Sequence, residues 1–219
     1  MATLQKMNHL TDEEIAKILI KDNGEELVDI EKACPGVIVK FDDKSAQRQK
    51  PALIRKTVVE MLNKAKSCLP ERFTFIIRDA WRSPEVQKQI KTSFIRRFTK
   101  KYPDWSEEKV IKEVGKYVAP FSGERVSGHM TGAALDLGLA KDGKKVPTES
   151  KKLSYQENSQ SHQPKLPNYI QKNRKIIFGA LQKAGFVNYH HEWWHWSYGD
   201  QYWAAVLNKP NAIYGAINE

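Results

Sequence analysis

Two stretches of the chain set histidines beside carboxylates at spacings that could hold a metal ion. The first reads Ser127-Gly128-His129-Met130-Thr131-Gly132-Ala133-Ala134-Leu135-Asp136. Asp136 falls inside an apolar run from Ala133 to Leu139, where an unpaired carboxylate is costly to bury, so it calls for a cation. His129 offers an imidazole, and Gly128 and Gly132 let the backbone turn and pass close to a bound group. An imidazole and a carboxylate are two of the three protein ligands of a catalytic zinc, whose fourth position is left for water. Taken alone, Asp136 could equally be a structural ion pair or a water-facing edge residue. The two cysteines, Cys34 and Cys68, form no C-x-x-C pair, so a metal here must rest on histidine and carboxylate.

The second stretch is His191-Glu192-Trp193-Trp194-His195-Trp196. On a helix, H-E-x-x-H places two histidines on one face with the glutamate as base. The surroundings argue for a strand instead: Gly185 stops the preceding helix, Phe186 to Tyr189 is β-prone, and Gly199 follows soon after. In the other parse His195 is the ligand and Glu192 the base. Residues three apart in a flat strand face opposite sides, so Glu192 must then lie on the bend that enters the strand. His191 becomes a flanking residue. An aromatic core with incidental histidines would account for the tryptophans but not for Glu192. A third stretch, Arg78-Asp79-Ala80-Trp81-Arg82-Ser83-Pro84, puts arginines at a strand end, where a guanidinium can meet a carbonyl oxygen that becomes an oxyanion. The plainer reading pairs Arg78 or Arg82 with Asp79 or Glu85 at the surface.

These residues need a scaffold. Thr11 and Glu14 form a capping box ahead of Ile15, Ile18 and Leu19, predicting a short helix that Asn23-Gly24 ends. Leu27 to Ile30 and Val37 to Phe41 read as short extended pieces around a Pro35-Gly36 turn. After Pro51, Leu53, Ile54, Val58, Met61, Leu62 and Ala65 share one face of a predicted helix. Arg72 to Arg78 predicts a strand. Ser83-Pro84-Glu85 predicts an N-cap and a helix to about Lys100, and Ser106-Glu107-Glu108 another through Val118. Ala133 to Leu139 predicts a second strand, and Phe186 to Tyr189 and Trp194 to Tyr198 are β-prone. Lys141 to Pro167 is polar and predicts a long surface loop, a candidate lid. Asn168 is expected to cap a helix that ends at Gly185. Helices and strands lack a βαβ rhythm, which favours an α+β fold with helices on an antiparallel sheet.

With these elements in place, the residues resemble a known family. Ser127-x-His129-x-x-Gly132-x-Ala134-x-Asp136 followed by Glu192-x-Trp194-His195 is similar to the paired S-x-H-x-x-G-x-A-x-D and E-x-W-H motifs of VanX-type D-alanyl-D-alanine dipeptidases and their VanY-type D,D-carboxypeptidase relatives. Ala184 to Ala204 and Tyr117-Val118-Ala119-Pro120 resemble the dipeptidase branch, and the likeness runs from about Gly24 to Gly215. It implies a Hedgehog/D,D-peptidase-like α+β fold. It further implies one zinc per chain on His129, Asp136 and His195, with Glu192 as catalytic base and acid and Arg82 stabilising the transition state. Ser127 matches a motif serine near the amino end of the substrate. One departure stands out: dipeptidases usually read Tyr-Arg-Pro where this chain has Trp81-Arg82-Ser83-Pro84, and the run from Arg82 to Gln87 also suits carboxypeptidases. The expected substrate is nonetheless the free D-Ala-D-Ala dipeptide, with longer peptides, as in a carboxypeptidase or murein endopeptidase, as the alternative.

Composition is compatible with that reading and with one rival. The 219 residues suit one zinc peptidase domain spanning 1–219, with an N-terminal arm over 1–24. Lys and Arg number 36 against 26 Asp and Glu, a net charge of +10 that also suits nucleic acid or anionic wall polymer. Arg96-Arg97-Phe98-Thr99-Lys100-Lys101-Tyr102-Pro103-Asp104-Trp105 interleaves cations and aromatics as single-strand binders do, although a solvated helix end has the same composition. The expected partner is a small D-amino acid dipeptide rather than nucleic acid or a membrane. Thr11, Asp12, Glu13, Glu14 and Lys17 interrupt any signal-like apolar run, so the expected location is cytoplasmic.

Overall fold

The computed structural model describes residues 10–49, 51–115, 117–119 and 125–217. The first nine residues of the expected N-terminal arm, and Pro120 of the family-like run, lie outside them.

Among the described residues the chain opens with helix α1 (Asp12–Ala16), started by the reciprocal Thr11–Glu14 capping box. Strand β1 (Leu27–Asp29) runs directly into α2 (Ile30–Ala33), because the Asp29 side chain accepts the Glu31 N–H and caps the turn. Strand β2 (Ile38–Val39) and helix α3 (Lys44–Arg48) follow. Next comes β3 (Leu53–Arg55), antiparallel to β1 with Leu27 opposite Arg55. Leu53 and Ile54 are therefore strand residues, not the first turn of the predicted helix; α4 is Lys56–Ser67. Their apolar spacing continues the helical stripe by coincidence, while the pairing partner lies far off in sequence.

Strand β4 (Phe73–Asp79) leads to α5 (Pro84–Lys101), whose Ser83 cap accepts the Val86 N–H and whose first residue is Pro84. Helix α6 (Glu107–Gly115) ends three residues short of Val118. Strand β5 (Ala134–Lys141) forms a hairpin with β6 (Lys144–Lys145). Helix α7 (Tyr155–Ser159) starts at a second capping box, Ser154 with Glu157. The stretch 141–167 is thus not the structureless loop its polarity predicts. Buried Arg174 holds it by donating to the carbonyls of Thr148 (2.8 Å), Asn158 (2.6 Å) and Gln160 (2.8 Å). Arg174 sits on α8 (Asn168–Ala184), which Gly185 ends in the left-handed region at φ 101°. Asn168 is the first helical residue; Pro167 takes the cap position and has no side chain that could accept a bond. Strands β7 (Val187–Asn188) and β8 (His195–Ser197) and helix α9 (Gln201–Val206) complete the order.

The main sheet runs β2-β4-β5-β8-β7, with β6 on β5. Every pair is antiparallel except β2–β4, which is parallel and corrects the wholly antiparallel expectation. The reason is the connection: β2 reaches β4 through α3, β3 and α4, a crossover rather than a hairpin. Leu135, Leu137 and Leu139 of β5 and Phe75 and Ile77 of β4 are buried in one core cluster with Leu62 of α4 and Leu181 of α8. Side chains alternate along a strand, so Asp136 and Gly138 project from the other face of β5.

Arg55 ties distant parts together. Its side chain donates to Thr131 O (2.9 Å), Asp22 Oδ2 (2.8 Å), Gly215 O (3.3 Å) and the Glu25 carbonyl, while its backbone N–H donates to Gly132 O (3.0 Å). No helix among the described residues is long and apolar enough to cross a membrane.

Candidate active site

The register of three neighbouring strands builds the site. Asp136 of β5 stands opposite His195 of β8, and opposite Asp79 of β4 on its other side. Directly opposed residues of an antiparallel pair put their side chains on the same face, so Asp136 and His195 meet without further help. His195 Nδ1 lies 3.0 Å from Asp136 Oδ1. His129 comes from the turn before β5, where Gly132 adopts φ 69°. Its Nδ1 sits 2.8 Å from the Ala80 carbonyl, which can only accept, so this nitrogen carries the proton. Its Nε2 therefore points inward, 3.3 Å from the same Asp136 oxygen.

Donor atoms of His129, Asp136 and His195 all lie within 4.8 Å of one another, and among the described residues no other such group of three or more metal-ligating side chains occurs. Two nitrogens and a carboxylate oxygen converging on one point suit a borderline divalent ion such as zinc. The Ala80 carbonyl fixes the His129 tautomer, as the outer partner of a metal-bound imidazole does. Burial pushes the Asp136 carboxyl up, but His129 and His195 outweigh it and hold the group well below the usual carboxylate range. His191 is exposed and stands outside this group; its ring lies against His190 with centroids 3.7 Å apart and the planes tilted by 44°.

Glu192 lies on the turn between β7 and β8, its N–H donating to Tyr189 O (2.9 Å) and its carbonyl accepting the His195 N–H (3.0 Å). The segment is a turn rather than a helix, which removes the geometry the helical H-E-x-x-H reading needs. Burial, reinforced by the charge of Asp136, pushes the Glu192 carboxyl well above its ordinary value, against the opposing pull of Arg82 and Arg78.

Arg82 does not pair at the surface. Asp79 Oδ2, buried, accepts from its Nε (3.0 Å) and Nη2 (2.6 Å), and Gln87 Oε1 accepts from Nη1 (3.0 Å). Gln87 is buried in the first turn of α5 and also donates to Ala119 O (2.9 Å). Its position five residues beyond Arg82 was legible in the run Arg82 to Gln87. A register shift between Ile77 and Asp79 bulges β4 at Arg78, so Arg78 and Asp79 both serve this end of the sheet. Gly138 leaves room for Arg78: a Cβ there would stand 3.3 Å from the arginine Cδ.

Ser127 is buried on the wall of the same cavity, which holds about 830 Å³ and is also lined by Arg78, Arg82, Tyr155, Glu192 and Asp200. Asp200 caps α9, accepting from Trp203 N (2.8 Å) and Ser197 Oγ (3.0 Å). Gly128 is required beside it, since a Cβ there would come within 2.5 Å of Asp200 Oδ2. Sequence reasoning gave no role to Asp200 or Tyr155: Asp200 lies within the family-like stretch from Ala184 to Ala204 with no part assigned to it, and Tyr155 reaches the cavity only through the fold.

A family profile described as D-ala-D-ala dipeptidase matches residues 32–212. The chain belongs to that peptidase family. A D-alanyl-D-alanine dipeptidase from Synechocystis sp. is 34% identical over 107 residues, 41% of this chain and 43% of the relative, so the match spans less than half of that protein's length. Two solved structures are similar over most of the chain. One is a vancomycin-resistance D,D-pentapeptidase, VanY from a VanB-type cassette, in complex with Zn(II), at TM-score 0.46 and 14% identity, covering 91% of this chain and 96% of that one. The other is VanYB in complex with D-alanine-D-alanine, at TM-score 0.47 and 13% identity, covering 89% and 93%.

Proposed function

We propose that this protein hydrolyses the free D-Ala-D-Ala dipeptide at a single zinc ion held by His129, Asp136 and His195. The observation that carries the reading is the convergence of those three donors in the cavity that Glu192 also lines, a carboxyl whose proton affinity its surroundings raise. Bound zinc supplies a Lewis acid that polarises the scissile carbonyl and lowers the pKa of water to ~7. Glu192 takes the proton of the attacking water on its carboxylate and returns it to the leaving amine; its raised pKa brings it closer to the operating pH, where proton transfer in both directions is efficient. Arg82 faces the oxyanion with a guanidinium whose orientation Asp79 and Gln87 fix in advance, so no reorganisation is needed as charge develops. Ser127 contacts the amino end of the substrate. The 141–167 stretch covers the site through Glu149, Tyr155 and Gln156, which line the cavity.

One observation favours a second reading, removal of a terminal D-Ala from longer peptides. The cavity of about 830 Å³ falls in the upper part of the ~300–1,000 Å³ range of sites for drug-sized ligands. Two alanines leave much of it empty. Comparing kcat/KM of the zinc-loaded protein for D-Ala-D-Ala and for a pentapeptide stem ending in D-Ala-D-Ala decides. Preference for the dipeptide is expected; preference for the stem replaces the dipeptidase reading and keeps the metal site. Failure to cleave either would discard both.

A further inference from the structure

The catalytic cavity has two ends of different construction. One runs out along α5: ring contacts lead from Trp194 to Tyr155 (centroids 6.0 Å apart), from Tyr155 to Tyr117 (5.6 Å) and from Tyr117 to Phe98 (5.9 Å), and Phe98, Lys100 and Lys101 line the cavity there. The other is the end of Ser127, Gly128 and Asp200, and it is bounded by α1. Ile15, the buried residue of that helix, lines the cavity. Residues 12–16 precede the 32–212 span that carries the family match, so this wall comes from a segment outside the family's own frame.

Contacts on several sides hold α1 in place. Ile15 packs in a second core cluster with Val187, Tyr202, Trp203 and Val206. Gln201, buried beside Asp200 on α9, accepts the Val126 N–H on Oε1 (2.9 Å) and donates through Nε2 to the Ile18 carbonyl (3.0 Å). Arg125 forms an ion pair with Asp12. Just past the helix, Ala212 N–H donates to Leu19 O (2.8 Å) and Lys21 N–H to Ala212 O (2.9 Å). A five-residue helix is too short to persist alone, so these contacts are what make it a fixed wall.

We propose that Ile15, carried by α1, closes the cavity at the amino end of the substrate and so restricts cleavage to a substrate with nothing beyond that end, the free dipeptide. The inference rests on the reading that sets the amino end at Ser127. Val126, which precedes Ser127, is the residue that Gln201 ties to Ile18, so the segment that meets the substrate and the segment that ends the cavity are bonded through one side chain. A residue added ahead of D-Ala-D-Ala has to pass Ile15, and a packed aliphatic side chain offers no partner to the added peptide N–H and C=O. The arm along α5 opens instead beside Trp194, over which Arg78 stands at 5.4 Å, so a peptide lengthened at its amino end does not gain that volume.

The test compares release of D-Ala from D-Ala-D-Ala and from L-Ala-D-Ala-D-Ala by the zinc-loaded full chain and by its I15V and I15A variants. Wild type is expected to favour the dipeptide by at least ~100-fold in kcat/KM, since even one methylene too many in a pocket is worth ~10- to 200-fold. The tripeptide-to-dipeptide ratio should then rise at least about threefold in I15V and about tenfold in I15A, chiefly through KM of the tripeptide. I15V removes a single methylene and serves where I15A fails to fold. A role for Ile15 in folding alone would lower both substrates by one factor. A ratio that stays unmoved in the folded variants, or a wild-type preference under about tenfold, overturns the proposal and leaves the dipeptidase reading standing. Wild-type preference for the tripeptide overturns both together, and release of D-Ala from neither substrate removes the peptidase reading as well.

Discussion

Replacing Gly132 by alanine perturbs the turn that delivers His129 without touching a ligand. At φ 69° an alanine pays the left-handed penalty of ~1–2 kcal/mol. Its Cβ would stand 2.5 Å from Leu27 Cδ2 and 3.3 Å from Arg55 Cγ. The leucine is half-buried and its methyl end can swing aside, but Arg55 is held by four acceptors and cannot, so the overpacking cost belongs at the low end of ~1–3 kcal/mol. Restricting the unfolded chain returns ~0.4–1 kcal/mol. The balance is about 2 kcal/mol of lost stability, which for a domain of this size lowers Tm by about 4–8 °C. Gly132 N–H donates to the His129 carbonyl (3.3 Å), and Gly132 O accepts the Arg55 N–H, so displacement of the turn should also weaken zinc binding. A thermal melt in chelator, followed by zinc titration against a competing chelator, measures both. An unchanged Tm with unchanged zinc affinity would refute the claim that this backbone position is constrained and coupled to His129.

Glu192→Gln should retain zinc and lose ~10²- to 10⁴-fold in kcat, the usual worth of a positioned base; retained turnover at normal metal content removes Glu192 from that role. Because burial raises the Glu192 carboxyl and only its ionised form accepts the water proton, activity should fall as pH drops through a pKa above the ordinary ~4.3 of glutamate, and an acid limb of kcat/KM at or below that value contradicts the environment described. His195→Ala should lose the metal while His191→Ala keeps it, read by zinc content after dialysis; the reverse pattern would restore the H-E-x-x-H ligand set.

What the sequence showed and what it hid divide along contact range. Ser83-Pro84, Thr11 with Glu14, and Gly185 announce helix ends because each cap is made within four residues. The grouping of His129, Asp136 and His195 was legible because its members sit in two compact motifs, although their meeting depends on the Asp136–His195 register. Leu53 and Ile54 were misread because their strand partner is β1, and the parallel β2–β4 pair is invisible to any local pattern. Arg78 looked like a surface residue; only the bulge in β4 and the rings of Trp193 and Trp194 give it its setting. The 141–167 stretch looked unstructured because its order comes from Arg174, a single buried cation on a later helix.

The Arg55 contacts also fix a chronology. That side chain needs the carbonyl of Gly215, 160 residues away, before the turn of Thr131 and Gly132 is fully braced. His195 follows Asp136 by 59 residues, and at ~5–20 residues per second a nascent chain carries His129 and Asp136 for about 3–12 s before the third donor is made. During synthesis the site is thus a two-donor pair until His195 has been made, and an ion that needs all three donors could be held only after that point.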